Sequence, residues 1–370
     1  MLRSTTRLDG LGLGAGSELG DNARAPVLLV SMGDPVGIGP ECIVRAFHRG
    51  AMPDAVVVGS VAVMRRASAS LGLSTPLAQL RVDDSNQPVS AWPLAPPGCL
   101  RVIQPDGLDP RLAELPWGQA DARAGAAAAR CIEWAVSHIL RGQAEGLVTA
   151  PIHKAAWAAA GVHYPGHTEM LQALCTRGAA PPAVRMMLAN DEIRVVLVTI
   201  HQSLRSAIDA ISIESVLQTL RIVQASAPPW GIDRPRIGVA GLNPHAGEGG
   251  LFGDEELRII GPAIQAARAE GIDARGPYAP DTVFMRARNT AAKPGEFDVV
   301  VAMTHDHGLI PVKYLGVELG VNVTLGLPIL RTSPDHGTAF DIAGQAKADP
   351  RSTEAALAYA RACLQGSSAA

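Results

Sequence analysis

Four stretches of the chain are apolar almost without interruption: GLVTA (146–150), RVVLVTI (194–200), RIGVAGL (236–242) and DVVVAM (298–303). None alternates between apolar and polar positions, so each predicts a strand covered on both faces. Helical periodicity lies between them, in ESVLQTLRIVQASA (214–227) and EELRIIGPAIQAARAEG (255–271). Upstream, DARAGAAAARCIEWAVSHILRG (121–142) predicts a helix with Asp121 near its start and Gly142 just past its end. PVLLVSMGDPVGIGPE (26–41) reads as a strand, a glycine turn and a helix opening, with Pro40 suited to the first helical turn. Residues 81–118, rich in proline and polar residues, predict loops and edge elements. Strand, loop and helix in alternation predict an α/β fold with a largely parallel sheet.

The chemistry collects where the strands stop. RVVLVTI runs into His201, RIGVAGL into Asn243, Pro244 and His245, and DVVVAM into Thr304, His305, Asp306 and His307. GLVTA is followed by Pro151, Ile152, His153 and Lys154, and slightly later by PGHTE with His167, Thr168 and Glu169. Ligands of open α/β sheets bind outside the carboxyl ends of the strands, so these groups are expected along one edge. A single histidine in such a place is ordinarily a loop-capping hydrogen-bond partner. Three of them, His201, His245 and His305, make a candidate divalent-metal site. Imidazole suits borderline ions, and catalytic sites typically use three protein ligands and leave a position for substrate. His48 and His138 fall on predicted helices and read as structural or surface residues.

Size and composition narrow the partners. A chain of 370 residues, 47% hydrophobic and 18% charged, predicts roughly two domains and a substantial core. A net charge of −3 gives no broad basic field, so neither nucleic acid nor an anionic membrane is expected, and any phosphate must be held by a local cluster. Five scattered cysteines without a C-x-x-C pair point to reduced thiols in the cytoplasm. No apolar run approaches the roughly 20 residues of a membrane span. Residues 1–25 lack the apolar core of a secretory signal and read as a flexible extension.

Two segments suit anions. The turn SMGDPVGIGPE lacks the lysine and hydroxyl of a P-loop and the spacing of a Rossmann fingerprint. It could offer N–H groups to an anion at a helix start, although by itself it reads more simply as a tight strand-to-helix connection. GVNVTLGLPILRTSPDHGTAFDIAG (320–344) supplies Asn322 and Arg331, which with nearby Lys313 are donors suited to phosphate or carboxylate. Asp341 could accept from ribose hydroxyls and would repel a 2′-phosphate. Their plain readings are a turn asparagine, a loop-bracing arginine, a surface lysine and a helix-starting aspartate.

Taken with VTAPIHK, AGVHYPGHTE, VTIHQSLRSAI, GLNPHAGEGG, GPYAPDTVF and HDHGLIPVK, these segments make the chain resemble the 4-hydroxythreonine-4-phosphate dehydrogenase (PdxA) family, from about Met32 to Asp349. DHGTAFDIAG is also similar to the adenosine-binding loop of isopropylmalate and isocitrate dehydrogenases. The resemblance implies their two-domain α/β/α fold with the active-site cleft between domains. The expected division is 26–148 plus 306–370 as a discontinuous cofactor-side domain and 149–305 as a central domain. It implies metal ligands His201, His245 and His305, the metal being zinc, cobalt or magnesium. Substrate contacts would come from His167, Thr168, Lys313, Asn322 and Arg331, with His167 and Lys313 as the catalytic groups. NAD would lie along Gly337, Thr338 and Asp341, and a homodimer would combine residues of both subunits in each site.

The implied reaction is NAD-dependent oxidation of 4-phosphooxy-L-threonine at C3, followed by loss of CO2 to give 3-amino-2-oxopropyl phosphate. Thr304 stands where the family usually has an aromatic residue, and His307 where glutamine is usual, which bears on substrate identity. Two other activities fit the same residues: oxidation of another hydroxy acid such as 4-phospho-D-threonate, and metal-dependent phosphate hydrolysis.

Overall fold

The computed structural model describes residues 27–82, 95–176, 178 and 180–368. The predicted N-terminal extension lies outside them, as does part of the predicted loop region. The strands are β1 (Leu28–Ser31), β2 (Ala55–Val58), β3 (Leu77–Leu80), β4 (Leu100–Ile103), β5 (Gly146–Thr149) and β6 (Arg185–Ala189). They continue with β7 (Arg194–Leu197), β8 (Ile237–Ala240), β9 (Ala274–Tyr278), β10 (Val299–Ala302), β11 (Val321–Leu325) and β12 (Leu330–Pro334). The helices are α1 (Gly39–His48), α2 (Val61–Ser70), α3 (Ala122–Leu140), α4 (Lys154–Ala159), α5 (His167–Leu174) and α6 (Leu204–Ala210). The rest are α7 (Ile213–Ser226), α8 (Gly261–Ala269), α9 (Val283–Ala287), α10 (His305–Tyr314) and α11 (Arg351–Ser368).

All twelve strands join one sheet in the order β3-β4-β2-β1-β5-β12-β11-β6-β7-β10-β8-β9. Most neighbours are parallel, as the unbroken apolar runs require, and β1, β2, β5, β8 and β10 are fully buried. The exceptions lie at the centre, where β11 is antiparallel to both β12 and β6, and β6 is antiparallel to β7. Three reversals leave β7, β10, β8 and β9 running opposite to β12, β5 and β1. The expectation of one chemical edge is therefore corrected. The carboxyl end of β5 and those of β7, β8 and β10 point opposite ways, and what they share is the centre of the sheet.

Local sequence fixes the elements that flank this centre. Asp121 caps α3, accepting from Arg123 N at 2.8 Å, and Gly142 follows the helix with φ +73°. The alanine-rich face of α3 allows α4 to approach closely; a Cβ on Gly125 would run into the carbonyl of Ala156. Gly33 (φ +71°) carries the first glycine turn against the end of β5, where a Cβ would come within 2.5 Å of Pro151 O. The N–H groups of that turn are taken: Val36 N by Asp34 Oδ1 (3.0 Å), Gly37 N by Asp34 O (3.1 Å) and Ile38 N by Thr338 O (3.0 Å). The turn is a strand-to-helix connection that holds the 336–344 loop, and the alternative of an anion cradle is set aside.

Among the described residues no helix is long and apolar enough to cross a membrane, and no cysteine forms a disulfide. His138 is buried on α3, stacked on Trp134 at 3.5 Å between ring centroids. His48 lies in the last turn of α1 and bonds Thr75 Oγ1 at 2.8 Å. Both are structural.

Candidate active site

A cleft of about 930 Å³ lies over the centre of the sheet. Thr149, Lys154, His167, Thr168 and Glu169 enter it from the end of β5 and from α4 and α5. His201 enters after β7, His305 and Lys313 from α10, Asn322 from β11, and Arg331, Asp335, His336 and Gly337 from β12 and its sequel. Six of the predicted site residues, His167, Thr168, Lys313, Asn322, Arg331 and Gly337, thus share one cavity with His201 and His305.

Arg331 defines its electrostatics. The side chain is 3% exposed, and its guanidinium donates to Thr149 Oγ1 (3.1 and 2.7 Å) and Thr324 Oγ1 (3.0 Å), with no carboxylate paired to it among the described residues. Burial pushes its pKa down to about 10, so it remains a cation at neutral pH. A buried cation bonded only to hydroxyls is costly unless an anion completes it. Close by, α5 starts at Gly166 without a side-chain cap, leaving its N–H groups and dipole open to an anion. His167 opens that helix. Its Nε2 is buried without a partner, and burial, then Arg331, holds its pKa well below the usual imidazole value. The ring is therefore neutral.

Lys313 is in a different state. Its ammonium is paired with Asp335, whose side chain is 8% exposed. The sequence pattern gives Asp335 no role, although it directly follows the buried strand segment that carries Arg331.

The histidines divide. His201 and His305 face one another across 5.6 Å between ring centroids. Burial, then His305 and Lys154, lowers the pKa of His201, favouring the neutral form that can ligate a cation. His305 Nδ1 lies 2.7 Å from Asp306 Oδ1. An ionised carboxylate only accepts, so Nδ1 donates and Nε2 is left as the ligand atom, the arrangement usual for metal-bound histidine. This pair fits a divalent ion as two of its ligands.

His245 lines neither this cleft nor the cavity beside it. Among the described residues no group of three metal-ligating side chains forms within the chain. His245 opens five successive residues with left-handed backbone, of which His245 (φ 52°), Ala246 (φ 52°) and Glu248 (φ 43°) are not glycine. That conformation costs about 1–2 kcal/mol for each such residue. It is held by Glu256, buried and accepting from Leu242 N (2.7 Å) and Asn243 N (2.8 Å). His245 in this left-handed run is exposed at the surface.

Of the three residues expected along a nucleotide, Gly337 lines the cleft, Thr338 is tied to Ile38 and Asp341 is exposed. Phe340 stacks on His153 at 4.4 Å and 9°, anchoring the loop to the start of α4. Thr304 and His307 face the second cavity, of about 640 Å³, on the far side of His201 and His305. There His307 Nδ1 is buried without a partner. Sequence reasoning gave Lys154, Glu169 and Asp335 no task. Position after a strand end was the available signal for the first two.

Residues 51–360 match the family model described as pyridoxal phosphate biosynthetic protein PdxA. The chain is 53% identical over 338 residues to 4-hydroxythreonine-4-phosphate dehydrogenase of Beijerinckia indica, covering 90% of this chain and 94% of that one. It is 43% identical over 330 residues to D-threonate 4-phosphate dehydrogenase of Pectobacterium atrosepticum, covering 88% and 95%. The crystal structure of 4-hydroxythreonine-4-phosphate dehydrogenase from Klebsiella pneumoniae superposes with a TM-score of 0.81 at 39% identity, covering 93% of this chain and all of that one. With a family model spanning most of its length and such relatives at both levels, the chain belongs to the PdxA family.

Proposed function

We propose that the chain is an NAD- and divalent-metal-dependent dehydrogenase that oxidises 4-phosphooxy-L-threonine at C3 and releases CO2. The product would be 3-amino-2-oxopropyl phosphate, for pyridoxal phosphate biosynthesis. The names of its relatives support the substrate class. The observation that carries the reading is Arg331, buried without a counter-anion among the described residues, beside an uncapped helix start and the unpartnered His167 Nε2. A phosphate monoester would complete all three.

In this reading Arg331, His167, Thr168 and the start of α5 bind the phosphate, with Asn322 as a further donor. Lys313, oriented by Asp335, offers a proton at Nζ, and neutral His167 can accept one; these are the groups to exchange protons with substrate. His201 and His305 would hold the metal with His245 of a second copy. Bound there, the ion supplies Lewis-acid stabilisation of negative charge on substrate oxygen, and NAD supplies the hydride acceptor. The chain's own part is to fix the C3 hydroxyl over the histidine pair, between the phosphate site and the 337–341 loop. Gly337, Thr338 and Asp341 would border the nucleotide, and Asp341 would favour NAD.

Surface chemistry supports a shared homodimer. Leu204, Ile208, Ile310 and Tyr314 are exposed on the helices that follow His201 and begin at His305, and Leu251, Phe252 and Leu257 are exposed beyond His245. Bringing these faces together would bury both sets and deliver the outward His245. The division into 26–148 plus 306–370 and 149–305, and a cytoplasmic location, belong to the same reading. The relatives named for D-threonate 4-phosphate, with Thr304 and His307 beside the histidine pair, support that acid as the second reading.

Absorbance of NADH, followed with each phosphorylated acid and its unphosphorylated counterpart, tests this. The expected result is metal-dependent NADH formation from 4-phosphooxy-L-threonine and little from 4-hydroxythreonine. Phosphate release without NADH would replace the reading by a phosphatase.

A further inference from the structure

Glu256 is 4% exposed, yet among the described residues no cation is paired with it; its carboxylate meets only N–H donors. Oε1 accepts from Leu242 N (2.7 Å) and Asn243 N (2.8 Å), just past the end of β8. Oε2 accepts from Asn243 Nδ2 (2.9 Å), which also donates to Glu255 Oε2 (2.7 Å). Two carboxylates therefore share one amide. That amide rests on Gly253, where a Cβ would come within 2.5 Å of Asn243 Nδ2. The loop also closes around Glu256: a Cβ on Gly241 or Gly247 would lie 2.9 or 2.7 Å from its carboxylate oxygens.

These contacts clamp the two ends of one loop, Asn243 and the 253–256 segment, with the left-handed run of His245 to Gly249 between them. Glu256 also opens a π-helical turn, Glu256–Ile260, a form that recurs at functional sites. A buried carboxylate without a cation and three non-glycine residues in left-handed backbone are both costly, and persist where the surroundings enforce them. What they secure is not core. His245, Leu251 and Phe252 of this loop are exposed.

We infer that Glu256, acting with Asn243, is a positioning residue for the opposite subunit's site: it fixes the loop so that His245 meets the His201–His305 pair of a second copy in one geometry. This rests on the reading above of a site shared between two copies. Glu256 touches neither substrate nor metal in this arrangement. Its loss should loosen one ligand atom, and the damage should appear in the partner's site while the chain's own His201 and His305 stay competent.

The test uses Glu256→Gln, which keeps the shape and replaces one acceptor oxygen by a donor among donors. Cobalt(II) binding, read by absorbance without substrate, should weaken at least about tenfold, the low end for loss of a ligand-orienting group. Turnover should fall in parallel. Asn243→Ala, which removes the shared amide, should act in the same direction and serves if Glu256→Gln does not fold. Subunit exchange then assigns the defect. Mixed with His201→Ala chains, Glu256→Gln should recover about a quarter of wild-type NADH formation, since mixed dimers carry one intact site of two. Mixed with His245→Ala chains it should recover almost nothing. Recovery with neither partner, recovery with His245→Ala instead, or unchanged cobalt affinity would overturn the inference. If His201→Ala and His245→Ala chains fail to restore one another, the shared-site reading falls, and this inference with it.

Discussion

The β5–β12 side of the cleft is finished within one chain, whereas the β7–β10 side is left open. On the first, Arg331 is buried on Thr149 and Thr324, Asp34 is 1% exposed, and the 336–344 loop is tied to the glycine turn and stacked through Phe340 on His153. On the second, His201 and His305 lie at the surface among exposed apolar side chains, and the third histidine of the sequence pattern is elsewhere. The contrast teaches that burial does the work of recognition on one side, making a cation that needs an anion. The other side supplies two imidazoles of suitable chemistry, and in the proposed reading the third comes from a second copy.

The largest effects should fall on the open side. His201→Ala or His305→Ala should cut kcat/KM by well over the roughly 10- to 100-fold that loss of a mere ligand-orienting group costs, with the fold retained by circular dichroism. A His245→Ala enzyme with near-normal turnover would remove it from the site.

On the closed side, Arg331→Met should lower kcat/KM for the phosphorylated substrate by about 10- to 150-fold. The midpoint of thermal unfolding should stay level or rise, since a buried unpaired cation is removed. A lower midpoint with KM unchanged would make Arg331 a structural brace. Lys313→Met should follow at about tenfold, the low end of the same range.

Asp34 gives the closed side a pH signature. Burial raises its pKa from 3.8 to about 6, against hydrogen bonding from Val36. The folded chain then holds the proton more tightly than the unfolded chain. The stability this group contributes is present below pH 3.8 and is lost as pH rises through about 6. Asp34→Asn should therefore stabilise the protein at pH 8, by on the order of 2–3 kcal/mol in urea unfolding, and make no difference at pH 4. Equal midpoints at pH 8 would show that the carboxyl is not so enclosed.

The smallest effect belongs to exposed Asp341. Asp341→Asn should improve NADP use relative to NAD by a few-fold, as expected for one solvent-screened charge. An unchanged ratio of kcat/KM values would place it away from the ribose.

The elements themselves were legible because local rules determined them: apolar runs for buried strands, Asp121 and Gly142 at the ends of α3, Pro40 at the start of α1. Strand direction was not, because β6, β11 and β12 form the reversing centre, and their pairing depends on partners more than a hundred residues away. The residues of the cleft were legible from their positions after strands, and their electrostatic states were not. No pattern distinguishes Arg331 on hydroxyls from Lys313 on Asp335. Nor does sequence say that His245, which follows its strand as His201 follows β7, is turned outward by a left-handed run.

The central claim is that the open side is completed by His245 of a second copy, around one metal. Mixing His201→Ala and His245→Ala chains after subunit exchange tests it most directly. Each preparation alone should be inactive. Mixed dimers would carry one intact site of two, and random pairing would restore about a quarter of wild-type NADH formation. Persistent inactivity despite demonstrated subunit exchange would place all three histidines in one chain's site and contradict the account.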